Sequence, residues 1–170
     1  MKPMITLARM VRQFSGKSLE FSSMGETAQS QKVKAYARFK EFTNNKLFLY
    51  DQQGTITSKQ MVAVSRYCAI ELGINHIFID SLMKCVPGED SYNEQKDFVD
   101  ALTSVARDND VHIHLVHHIR KLGNDEVRPN KFDLRGSSAI TDLVDNVLIL
   151  WRNKKKRSEE HTSELQSHSF

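Results

Sequence analysis

Asn75-His76-Ile77-Phe78-Ile79-Asp80-Ser81 is an apolar run closed by a single carboxylate, and it constrains the fold more than any other segment of the chain. A run this short, carrying two β-branched isoleucines, predicts a buried parallel strand. A carboxylate at the end of such a strand stands at the edge where open α/β sheets place their ligands. In a nucleotide-hydrolysing fold that Asp holds Mg²⁺ through water; in an ordinary one it merely begins the loop after a core strand. The strand alone leaves both readings open.

The flanking pattern alternates helices and strands. Residues 4–14 place Met4, Ala8 and Val11 on one helical face, with Leu7 and Phe14 beside them, and residues 28–42 place Val33, Ala37 and Phe42 inward. Residues 46–50 predict a strand, Asp51-Gln52-Gln53-Gly54 its turn, and residues 58–72 a helix with Met61, Val64, Cys68 and Leu72 in line before Gly73. After the Asp80 strand and the Pro87-Gly88 loop, Ser91 with Glu94 three residues on has the form of a capping box. The helix it opens carries Phe98, Ala101, Leu102 and Val105 as its inner stripe. Residues 111–116 predict a strand, 120–131 a long polar loop, 137–143 a brief helix and 146–151 a last strand. Such alternation implies a mostly parallel sheet with helices on both faces.

With 170 residues, 39% hydrophobic and 26% charged, the chain is long enough for one compact core and too polar for a fibrous or membrane-embedded class. It contains no apolar stretch of bilayer-spanning length and no signal-peptide pattern at its start, so the cytoplasm is the expected compartment. Two cysteines, Cys68 and Cys85, are too few and too separated for a disulfide framework or a zinc pair, and are expected to be reduced packing residues. The formal net charge is +3, but residues 157–170 carry one Arg against Glu159, Glu160 and Glu164, so the body alone carries +5. That suits a polyanionic partner without requiring one. The same tail has no helical or strand period, and it resembles the in-frame translation of a short-read sequencing adapter. The expected division is therefore a domain over 1–156 and an artefactual, disordered tail over 157–170, the natural coding sequence continuing past Lys156.

Four pieces from Lys46 onward resemble the C-terminal motor domain of hexameric replicative DNA helicases, the DnaB-like group that includes phage primase-helicases and Twinkle. His76-Ile77-Phe78-Ile79-Asp80 resembles the Walker B strand, and Leu115-Val116-His117-His118 resembles the strand that ends in a phosphate-sensing His or Gln. Asp133-Leu134-Arg135-Gly136-Ser137-Ser138-Ala139-Ile140 resembles the segment D-L-R-G-S-x-A-[IL], and Asp145 to Arg152 the strand after it. The first two are weak singly; the third, in this order and spacing, is specific. The match spans roughly 110 residues, enough for a domain core.

The resemblance implies a RecA-like P-loop NTPase core, incomplete here, from an ATP-dependent helicase of phage or bacterial origin that translocates along single-stranded DNA as a homo-hexamer, with a primase as a further partner. It implies ATP and Mg²⁺ as cofactors, with Asp80 anchoring the ion through water and Ser81 in the same water network. It implies that His118 contacts the γ-phosphate and passes nucleotide state to the following loop. That loop, 119–135, carries Arg120, Lys121 and Arg135, and with the backbone of Gly136, Ser137 and Ser138 it would follow the DNA phosphates; by composition alone it is an ordinary solvated loop. His112 and His114 share a strand face, but zinc needs a third and usually a fourth convergent ligand, and none is signalled.

The phosphate loop itself is not found. Ser15-Gly16-Lys17-Ser18 mimics the end of G-x-x-x-x-G-K-[ST], but Val11 stands where the first Gly must curl the backbone round a phosphate, so the reading is a helix that ends at Gly16. The residues from Met1 to Gln13 resemble the helix that follows the family's catalytic glutamate, which places that Glu and the Walker A loop upstream and leaves this stretch inactive alone. Two other readings stay open: a RecA or RadA recombinase-like ATPase, and a non-catalytic DNA-binding or subunit-interaction module.

Overall fold

The computed structural model describes residues 3–16, 26–52, 54–86, 88, 90–120, 127–134 and 139–151. The chain divides into two compact units, Met1–Thr55 and Ile56–Phe170.

The first unit holds helices α1 (Pro3–Ser15) and α2 (Glu26–Thr43). Pro3 suits the first turn of a helix, where its missing N–H is not needed. Gly16, at φ +65°, ends α1, its N–H donating to the Gln13 carbonyl at 3.3 Å. A left-handed glycine here is a helix stop, so Ser15-Gly16 belongs to a terminus rather than to a phosphate cradle. Val11 is buried as expected, but Met4 and Ala8 lie outward, and in α2 the inward residue is Phe39 while Val33, Ala37 and Phe42 are exposed. Phe14 meets Phe39 edge-on at 5.5 Å and Phe42 at 4.9 Å, and the face of α2 that is buried or half-buried runs through Ala35, Tyr36, Phe39 and Thr43. Residues 46–50 form no strand among the described residues. Leu47, Phe48 and Tyr50 are exposed there; an alternating pattern supplies a strand's face but not its ladder partner.

The second unit runs α3 (Ser58–Ile70), β1 (His76–Asp80), α4 (Leu82–Cys85), α5 (Tyr92–Asp108), β2 (His112–Val116), a 3₁₀ turn at Lys131–Asp133 and α6 (Ile140–Leu143). Thr57 and Gln60 form a reciprocal capping box at the start of α3, a device worth about 1 kcal/mol. The box expected at Ser91 and Glu94 is not made: Ser91 is the N-cap residue of α5, but its side chain makes no cap bond. Its backbone sits near φ −78°, ψ +56°, outside the extended geometry in which a cap hydroxyl reaches the N3 amide. Buried Gln95 instead ties α5 to the preceding loop, its Nε2 donating to the Gly88 carbonyl at 3.3 Å.

β1 and β2 pair in parallel, His76 opposite His112 through to Asp80 opposite Val116, with α4 and α5 as the crossover. Ile77, Ile79, Ile113 and Leu115 share the inner face and pack on Leu82, Cys85, Val86, Phe98, Val99, Leu102 and Ile140. Full burial of a Phe or Leu in such a core contributes about 1.5–3 kcal/mol each. Helices cover this face alone; the other, which the sequence pattern places under helices as well, is open among the described residues, with Phe78 71% exposed. The last expected strand, residues 146–151, is not formed either. In it Leu148 and Leu150 are 88% and 95% exposed while Ile149 is half-buried, a strand's alternation without a ladder partner among the described residues.

Candidate functional site

The parallel register settles where the candidate residues lie along the sheet. Asp80 and Val116 are opposite partners at the carboxyl ends of β1 and β2, and His118 follows two residues later, so carboxylate and imidazole stand at the same end of neighbouring strands. This is the end at which α/β sheets bind ligands. Period-two alternation puts Asp80 on the open face with His76 and Phe78, and both Asp80 and His118 are exposed.

Ser81 is buried and caps α4 with extended backbone, making no side-chain cap bond. The Asp80–Ser81 peptide is cis. Lys84, one turn into α4, reaches back with its Nζ to the Asp80 carbonyl at 3.5 Å, which sets a cation beside the carboxyl end of β1.

Past His118 the chain is tied to the segment around Asp133. Ile119 and Leu134 form an antiparallel bridge, and the Arg120 N–H donates to the Asp133 carbonyl at 2.8 Å. The Asp133 carboxylate accepts the Asn130 N–H at 2.8 Å, and the Asn130 side chain accepts the Phe132 N–H at 2.8 Å, closing the 3₁₀ turn. The long polar loop is thus pinched at its base, with the exposed Arg120 on its outgoing arm. Downstream, α6 docks on α5 through buried Ile140 and through Thr103, whose hydroxyl lies 3.5 Å from the Leu143 carbonyl. Lys121, Arg135, Gly136, Ser137 and Ser138 lie outside the described residues.

Two features escape the sequence reading. Phe132 is an exposed aromatic in the basic loop with the Lys131 ammonium 5.0 Å from its ring centre; an aromatic interleaved with basic residues is the signal that marks it. His76 joins His112 and His114 on the open sheet face, its Nδ1 3.3 Å from His114 Nε2. That meeting depends on strand register, which no local pattern reveals. Burial, and then the charges of His112 and His76, hold the His114 imidazole below its ordinary pKa. Burial pushes the thiols of Cys68 and Cys85 up, Lys84 opposing this at Cys85, and both cysteines are free.

Among the described residues no helix is long and apolar enough to cross a membrane. In comparisons with known proteins, the model of the DnaB-like helicase C-terminal domain matches residues 1–169. No curated protein matches the chain.

Proposed function

The chain belongs to the family of DnaB-like helicase C-terminal domains, and from that premise we propose that it is part of an ATP-driven motor that moves along single-stranded DNA and unwinds duplex at a replication fork. The family carries a RecA-like α/β fold and a nucleotide-dependent role in DNA replication. The parallel register that carries Asp80 and His118 to one end of β1 and β2 is the observation that supports the finer reading.

In this reading Asp80 would hold Mg²⁺ through water, and the ion would supply positive charge opposite the β- and γ-phosphates. A carboxylate on an exposed strand end suits a hydrated ion better than direct ligation in a closed cage. His118 donates to the γ-phosphate. Because Ile119 and Arg120 are hydrogen-bonded to Leu134 and Asp133, a shift of His118 on phosphate release moves both arms of the loop together. Arg120, with Lys121 and Arg135, neutralises DNA phosphates, the backbone of Gly136, Ser137 and Ser138 adds sequence-blind donors, and Phe132 offers a ring on which a base stacks. ATP bound between subunits of a hexamer, and a primase partner, complete the proposal.

The test is steady-state ATP hydrolysis by the intact parent helicase, with and without single-stranded DNA. Asp80→Asn is expected to lower kcat by about a hundredfold or more. His118→Ala is expected to retain nucleotide binding and lose most of the DNA stimulation. Wild-type turnover in Asp80→Asn would remove Asp80 from the metal site.

A further inference from the structure

The open face of the sheet carries three imidazoles that the nucleotide site does not use. His76 and His112 are opposite each other in register, and His114 lies diagonally across from His76. The ring centroids of His112 and His114 are 4.4 Å apart, and those of His76 and His114 5.6 Å. Phe78 stacks on His114 at 4.1 Å with the planes only 3° from parallel, which fixes the orientation of that ring. The Nδ1 of His76 and the Nε2 of His114 face each other at 3.3 Å.

A nitrogen-to-nitrogen distance of this size has a second meaning besides a hydrogen bond. Two imidazole nitrogens bound to one tetrahedral ion at about 2.0–2.1 Å stand about 3.3–3.4 Å apart. We propose that His76 and His114 form a cross-strand chelate for a divalent transition metal of the zinc class, bridging β1 and β2. In the metal-bound form both facing nitrogens are unprotonated, so the hydrogen between them moves to a far ring nitrogen. Imidazole donors select Zn²⁺, Ni²⁺ or Cu²⁺ over Mg²⁺, which prefers oxygen, so the site is chemically separate from the phosphate-linked metal at Asp80. Among the described residues no group of three or more His, Cys, Asp or Glu side chains is arranged round one ion. Two protein ligands fall short of the three or four that a built zinc centre takes, so the remaining positions go to water and the site is an exchangeable surface chelate. His112 neighbours the ligands without completing the set.

Calorimetric titration of the EDTA-treated, dialysed 170-residue chain with zinc chloride at neutral pH tests this, with circular dichroism to verify the fold of each variant. One zinc per chain is expected at this site. Binding is expected to weaken by more than about tenfold in His76→Ala and in His114→Ala, and to persist in His112→Ala. Zinc should also raise the thermal midpoint of the wild-type chain, as a ligand of the folded state alone does, and not that of the double variant. Unchanged affinity in the His76→Ala/His114→Ala double variant, or no zinc uptake by the wild-type chain, overturns the proposal.

Discussion

A titratable side chain reports its surroundings most directly, and the environment of His114 holds its imidazole below the ordinary range, first by burial and then through the neighbouring charges of His112 and His76. Lowering the pKa of a base on folding favours its neutral form in the native state. Its contribution to stability is therefore intact above the unfolded value of about 6.5 and is lost as the pH falls from there through the folded value. Denaturant unfolding of the metal-free chain across that window is expected to show stability falling on acidification, with a shallower fall in His114→Asn. An identical pH profile for the variant would mean that the cluster exerts no such effect. Asp80 and Ser81 illustrate a different point at this scale. Adjacent in sequence, they are separated by environment, the carboxylate exposed at the sheet's end and the hydroxyl buried at the head of a short helix.

At the scale of elements, α5 holds the second unit together, contacting α3, α6 and β2. Its Phe98 is buried on the same core as Ile79 and Ile140. Phe98→Ala is expected to cost about 3–5 kcal/mol, whereas Phe78→Ala, one strand away on the open face, should fall within about 0.5 kcal/mol of wild type. Urea midpoints of the two variants check the contrast, and equal losses would mean that the outer face is buried after all. The same contrast explains what was legible beforehand. The 3.6-residue stripe of Phe98, Ala101, Leu102 and Val105 is a local property, so the helix emerges from the sequence with its inner face right. β1 and β2 are legible because Ile77, Ile79, Ile113 and Leu115 are apolar runs of strand length. Residues 46–50 and 146–151 carry comparable patterns, yet neither has a ladder partner among the described residues, because pairing is settled by distant chain. In α2 the pattern points to Val33 and Phe42 as inward, whereas Phe39 is the buried residue and Phe14 of another helix meets both Phe39 and Phe42, a contact that no pattern within α2 reveals. For the candidate site, Asp80 could be singled out from the end of its strand and His118 from the family resemblance, while the His76–His114 pair required the register.

For the whole molecule the question is how a chain of net charge +3 would hold a polyanion. So small an excess gives little long-range attraction at physiological salt, where exposed charges are screened within about 8 Å. Affinity must come from cations held close to phosphates, and the structure offers a means of holding one: the bridge between Ile119 and Leu134 and the Arg120 to Asp133 hydrogen bond fix the base of the basic loop. Each phosphate neutralised on a single strand contributes about 0.7 to the slope of log affinity against log salt. If Arg120 and Lys121 each neutralise one, the Arg120→Ala/Lys121→Ala variant of the intact helicase is expected to bind an oligo-dT strand more weakly and to flatten that slope by about 1.4. Phe132→Ala, by contrast, should lower affinity by an amount that does not vary with salt, since stacking releases no counterions. Fluorescence anisotropy over a salt series separates the two. A slope unchanged by the double variant would place the DNA elsewhere on the molecule, and a salt-dependent loss in Phe132→Ala would show that the ring acts by positioning its basic neighbours instead of by holding a base.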